Sequence, residues 1–230
     1  MILSTPGLVL HTTPYAESSV VAKVFTRQLG LRSYMIKGVR GRGHRVKQNL
    51  LQPLSSLDMV VYNNEKTDLN YIKEMTPRQP DREPDPVDNA LRFFMTEVLY
   101  KALREAEPMP DLFDYVEETA SQCQLSTANL PILFLLTVAQ HLGIAPLDNC
   151  NSREPYFDLQ EGRFVSVPGE TTLPSAHSSL LHEYLSSESQ HAVSLQQRTD
   201  MINSLIAYFQ LHLSGFNRFH SHEILHTILK

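Results

Sequence analysis

Leu31-Arg32-Ser33-Tyr34-Met35-Ile36-Lys37 runs directly into Gly38-Val39-Arg40-Gly41-Arg42-Gly43-His44-Arg45-Val46-Lys47. The first seven residues form an apolar and aromatic run of strand length. The glycines and cations that follow read as a loop leaving that strand. Outward from this point the same signal recurs at Leu8–Leu10, Val20–Phe25, Leu57–Val61 and Leu69–Ile72, separated by turn residues such as Gly30 and Asn63-Asn64. Five short strands in about 75 residues match a small OB-type barrel.

The charge on this stretch is one-sided. Between Lys23 and Lys47 lie eight Lys or Arg residues and no Asp or Glu. Residues 1–75 carry a net +5 and residues 76–230 a net −10, which together give the −5 of the whole chain. Nucleic acid would feel the local field of the first part rather than the overall charge. Arg and Lys neutralise phosphates, and glycine lets backbone amides approach them. Lys23, Arg27, Arg32, Lys37, Arg40, Arg42, Arg45 and Lys47 are therefore the candidate nucleic-acid contacts. Tyr15, Phe25 and Tyr34 are the nearby aromatics; Phe25 ends an apolar strand and reads as core, which leaves Tyr34 as the ring best suited to stack a base.

Residues 77–87 carry Pro77, Pro80, Pro84 and Pro86 among charged residues and read as a semi-rigid linker. Beyond it the period becomes helical. Asp88 is the expected N-cap of a helix reaching Ala106, and Asp111 opens a second. Leu130–Leu142 is apolar on most sides and stops at Gly143. Residues 147–175 interrupt the pattern with a hairpin, Tyr156–Leu159 and Arg163–Val165 flanking Gln160-Glu161-Gly162. Helical spacing returns at Ser178, at Thr199–Leu213 and near Ser221–Leu229. The expectation is an α+β chain with a barrel over 1–76, a linker over 77–87, a helical bundle over 88–146 and 176–230, and an insert over 147–175.

Composition narrows the functional classes. Hydrophobic content is 42%, ordinary for a globular protein. No apolar run approaches the ~20 residues of a membrane span, and the first residues do not read as a signal peptide. The two cysteines, Cys123 and Cys150, lack paired spacing, so a reducing cytoplasm and no disulfide framework are expected. His222-Glu223-Ile224-Leu225-His226 matches the zincin pattern, but its interleaved Ile and Leu read as a docking helix. Gly38-Val-Arg-Gly41-Arg-Gly43 lacks the ending of a P-loop and the spacing of a dinucleotide fingerprint. No catalytic residue, metal or cofactor is expected.

Gly7-Leu-Val-Leu10, Tyr15-Ala-Glu17-Ser-Ser19, Phe25-Thr26 with Gly30, Lys37-Gly38-Val39-Arg40 and Leu51-Gln52-Pro53-Leu54 together resemble the N-terminal barrel of the RecO family of bacterial recombination mediators. The resemblance continues in order through Leu142-Gly143-Ile144-Ala145-Pro146 and Tyr208-Phe-Gln-Leu-His212-Leu-Ser-Gly215-Phe216. It implies an OB-fold, a helical bundle and a small insert. It also implies binding of single- and double-stranded DNA, annealing of complementary strands, and help in loading RecA onto DNA coated by single-strand binding protein. RecR and the C-terminal tail of single-strand binding protein are the implied partners, in the cytoplasm and at the nucleoid. The family motif carries DNA contact onto Lys37 and Arg40; Arg42, Arg45 and Lys47 follow from charge. Many relatives carry a four-cysteine zinc element after the Leu-Gly-x-x-Pro segment. Here only Cys150 remains, followed by Asn151-Ser152-Arg153, and the hairpin is expected to stand on its turn and aromatics. Arg92, Arg104 and Arg218 are candidates for an Arg-containing partner groove on the helical part. An RNA- or ribosome-associated OB protein would use the same cations, and a hydrolase using the C-terminal histidines is a third class.

Overall fold

β1 (Ile2–Tyr15) is 14 residues long because it serves two neighbours. Ile2 to Leu8 pair with β4 (Ser56–Tyr62), and Gly7 to Tyr15 pair with β2 (Ser19–Thr26), with a register shift between Val9 and His11. β2 turns into β3 (Gly30–Ile36), β3 runs parallel to β5 (Leu69–Pro77), and β5 returns antiparallel to β4. The order β1-β2-β3-β5-β4 closes on itself, the five-stranded barrel of an OB-fold. The computed structural model that shows this describes residues 1–15, 17–39, 49–64, 66–79, 85–104, 107–122, 128–186 and 193–228, with side chains through residue 225. All five expected strands form. Each is longer than its apolar run, because barrel strands keep pairing through residues whose side chains face solvent.

Val9, Val20, Ala22, Val24, Ile36 and Leu57 fill the barrel interior, with Tyr34, Met59 and Val61 among them. The outer face of β2 is covered at one end, where Phe25 meets Phe113 at a centroid distance of 5.6 Å. Phe113 belongs to α2 (Pro110–Ser121), which follows α1 (Pro86–Ala102). Both helices belong to one compact unit with the barrel, Met1–Leu125. The proline-rich segment thus lies inside that unit, because ion pairs and aromatic contacts join the barrel to the helices beyond it. Arg27 pairs with Asp114, and Arg78 bridges Asp58 and Glu117.

Arg92 is the most enclosed of these ties. Its Nε donates to Asp88 Oδ2 at 2.9 Å, Nη2 donates to the Ala120 carbonyl and Nη1 to the Leu54 carbonyl. Its side chain is 11% exposed and that of Asp88 4%. Arg92 is therefore a strut between α1, the end of α2 and the β3–β4 connection, not a partner-docking residue. Asp88 is not the N-cap either. Asp85 takes that role, its side chain accepting the Asp88 N–H, with Pro86 in the first turn. The helix ends at Ala102, short of the expected Ala106.

The second compact unit is Ser126–Lys230. α3 (Leu130–His141), α4 (Ser175–Leu185), α5 (Leu195–His212) and α6 (Ser221–Ile228) surround a core that includes Phe134, Phe209 and Phe216. Ser194 and Gln197 form a capping box, and α5 begins at Leu195, ahead of the expected Thr199. β6 (Tyr156–Asp158) and β7 (Arg163–Val165) make the inserted hairpin, Phe157 packing edge-on against Phe164 at 5.1 Å. Among the described residues no helix is long and apolar enough to cross a membrane.

Two outcomes follow for stability. Gly30 turns the chain between β2 and β3 at φ +68°, and a Cβ there would run into the backbone of Glu107, whereas Gly38 at φ +65° has open space around it. Both Gly→Ala changes strain a left-handed backbone, about 1–2 kcal/mol. Gly30→Ala adds the overlap and should cost at least about 1 kcal/mol more than Gly38→Ala, read as a lower thermal midpoint by roughly 2–4 °C. Arg92→Leu should destabilise by about 3 kcal/mol by stripping the buried Asp88 carboxylate of its cation, and Asp88→Leu on top should restore much of it in a double-mutant cycle by urea titration.

Candidate nucleic-acid interface

Strand register decides which side chains the barrel offers to solvent. Directly paired residues share a face. Ala22 pairs with Tyr34 and Val20 with Ile36, and these residues point inward with Val24. The alternate set points out: Lys23 pairs with Ser33 and Ser33 with Leu69, while Val21 pairs with Met35, Met35 with Tyr71 and Tyr71 with Tyr62. Lys37 follows β3 in the same parity as Ser33 and Met35 and is exposed. Val39 then anchors the chain, its N–H donating to the Ser18 carbonyl at 2.8 Å, beside the β1–β2 turn. The arginine-rich segment departs from that anchored point.

The expected contacts separate accordingly. Lys37 sits with Nζ 5.4 Å from the centre of the Tyr71 ring, inside cation–π range. Lys23 lies on the same outer face, half-buried; burial lowers its pKa, opposed by the nearby Asp68 carboxylate. Arg27 is engaged elsewhere. Its Nε and Nη2 donate to the two Asp114 carboxylate oxygens at 2.7 and 2.8 Å, which stabilises both charges and cancels them locally. Arg32 is half-buried, and its Nε donates to the Leu29 carbonyl at 3.2 Å. Arg40, Arg42, Arg45 and Lys47 lie outside the described residues.

Tyr34 is a correction. Its ring is 1% exposed in the barrel core, so it has no face free to stack a base. Burial pushes its hydroxyl pKa up to about 12, with Arg32 pulling weakly the other way. The reason is parity: Tyr34 opposes Ala22, an inward residue. Tyr15, named beside it, is 55% exposed, and two further exposed rings are ones the sequence reading passed over, Tyr62 and Tyr71, at 46% and 45%. The available signal was their position, since the two tyrosines bracket the Asn63-Asn64 turn and its loop, and a hairpin sets such flanking residues side by side.

Elsewhere on the barrel the chemistry is wrong for a polyanion. A concavity lined by Thr5, Asp58, Met59, Glu74 and Thr76 presents two carboxylates. The insert does not suit zinc either. Among the described residues Cys150 has no second cysteine near it, and burial followed by the Asp148 carboxylate raises its pKa, the opposite of what a thiolate ligand needs. Among the described residues no three His, Cys, Asp or Glu side chains group as a metal site; the side chain of His226 is outside them. Hydrogen bonds hold the insert instead. Asn149 pairs its side-chain amide with the Phe164 backbone, accepting its N–H at 2.8 Å and donating to its carbonyl at 3.0 Å. Asp158 accepts the Gln160 and Glu161 N–H groups and the Thr171 hydroxyl. Burial would raise the Asp158 pKa, but these donors outweigh it and hold the carboxyl below its usual range.

Residues 1–80 match the family described as Recombination protein O N terminal, and residues 83–222 match Recombination protein O C terminal. The chain is 30% identical to a DNA repair protein RecO of Phocaeicola vulgatus over 98% of both chains. It is 27% identical to one of Christiangramia forsetii over 99% of both, and 29% identical to one of Porphyromonas gingivalis over 99% of both. Barrel, helices and insert thus fall along a chain matched end to end by these relatives, and the protein belongs to the RecO family of DNA repair and recombination proteins.

Proposed function

We propose that the protein is a non-enzymatic recombination mediator of the cytoplasm that binds single- and double-stranded DNA through its barrel, 1–76, and anneals complementary strands. In the same reading it cooperates with RecR and helps load RecA onto DNA coated by single-strand binding protein. The observation that carries it is the outward Lys37 at the exit of β3, where an acid-free run of Arg40, Arg42, Arg45 and Lys47 leaves the barrel. Contacts of this kind reach mainly phosphates, so binding is largely independent of sequence. Annealing follows from charge neutralisation: cations between two strands remove the repulsion that keeps them apart, and no nucleotide hydrolysis is needed.

The second unit, with its acidic composition, is assigned to protein partners. Leu195, Arg198 and Ile202 of α5 with His222 and Leu225 of α6 line a shallow groove. Arg198 Nε is buried in it and has no hydrogen-bond partner among the described residues. Apolar walls with one such cation suit an acidic peptide ending in an apolar residue and a carboxylate, the chemistry assigned here to the tail of single-strand binding protein. Arg198 replaces the enclosed Arg92 as the groove cation.

If about five phosphates are neutralised, log Kd for a single strand should change with log salt at a slope near 3.5, about a hundredfold weaker binding from 50 to 200 mM. Fluorescence anisotropy of a labelled oligonucleotide reads this directly. Arg40/Arg42/Arg45→Ala should flatten the slope by about two units; an unchanged slope in the folded variant would place DNA elsewhere. Arg198→Glu should weaken an acidic tail peptide at least tenfold by calorimetry while leaving the DNA slope alone, and equal peptide binding by the folded variant would remove the groove from the proposal.

A further inference from the structure

We propose that Tyr62 and Tyr71 form a base-stacking platform for single-stranded DNA on the outer face of the barrel; this rests on the reading of the barrel as the DNA-binding part. The two residues are direct cross-strand partners on β4 and β5, on the face away from the core. Each ring leaves nearly half its surface in water. The row continues on the same face through Met35 to Val21, apolar neighbours of Tyr71 across the strands. One rung along the same face lies Lys23 with Ser33, and Lys37 stands over Tyr71. Tyrosine rings flanked by cations at the root of an arginine-rich segment complement one ligand in both respects. A single strand offers unstacked bases to the rings and phosphates to the cations.

Duplex DNA offers only the second. Its bases are already stacked, so it gains from Lys37 and the arginines but not from the tyrosines. The platform therefore separates two properties that charge alone would merge: phosphates set the affinity for any DNA, and Tyr62 and Tyr71 set the preference for unpaired strands. Lys37 contributes to both, since its ammonium lies 5.4 Å from the centre of the Tyr71 ring and remains exposed to a phosphate.

The test uses the full chain, labelled oligothymidylate, the same length with abasic sites through its centre, and a duplex. Wild type should bind oligothymidylate about tenfold or more tighter than the abasic strand. Tyr62→Leu/Tyr71→Leu, which keeps apolar bulk on the strands, should lose that factor on oligothymidylate. It should bind abasic strand and duplex as wild type does, with an unchanged salt slope. Tyr71→Phe should keep the preference, because stacking needs the ring and not the hydroxyl. A folded double variant that still distinguishes oligothymidylate from the abasic strand as wild type does would overturn the platform and leave the DNA reading intact. Wild type that binds none of the three DNAs at 50 mM salt would overturn the DNA reading itself. Tight binding of oligouridylate without oligothymidylate would overturn the platform as a DNA site in favour of RNA.

Discussion

The barrel exists because one strand is shared. β1 gives its first half to β4 and its second to β2, and closure of the sheet depends on that double pairing. Gly7 stands where the two pairings overlap, and a Cβ there would crowd Met59 and lie 2.7 Å from Val24. Closure removes both sheet edges and fixes an inside. Once the inside is fixed, the two-residue period of each strand assigns every side chain to core or solvent. Tyr34 is in and Tyr71 is out for this reason alone, although both are strand tyrosines with polar neighbours in sequence.

The same constraint sorts the cations. Cations on both sides of the proline-rich segment also hold the fold together. Arg27 and Arg78 join strands to α2 through exposed ion pairs, each worth less than about 1 kcal/mol. Arg92 is different in kind, being enclosed with Asp88 and two backbone carbonyls. Such a buried pair adds less to stability than its removal costs, because the stranded partner keeps its desolvation penalty. Lys37, by contrast, is exposed beside the Tyr71 ring.

The insert after α3 is held by side-chain amides and carboxylates. A loop without a core must satisfy its own backbone. Asn149 imitates a neighbouring strand for Phe164, and Asp158 collects two N–H groups and a hydroxyl. Gly162, at φ +68°, lets the turn pass under the Tyr208 hydroxyl, which donates to the Ile144 carbonyl at 2.8 Å. Asn149 and Asp158 sit in a polar stretch where nothing in the local pattern marks them as structural.

Local information in the sequence determined the elements: apolar runs marked all five strands, helical periodicity marked the helices, and a run of cations without acids marked the polyanion-binding candidate. These are properties of neighbours along the chain, and propensity and charge act there directly. Helix ends were less legible, since Asp85 and Asp88 are both plausible caps and only the demand of Arg92 for a buried carboxylate chooses between them. The inward Tyr34, the outward Tyr62 and Tyr71 and the neutralised Arg27 were decided by tertiary structure. Each depends on which strand or helix lies opposite, a long-range pairing that no local window contains.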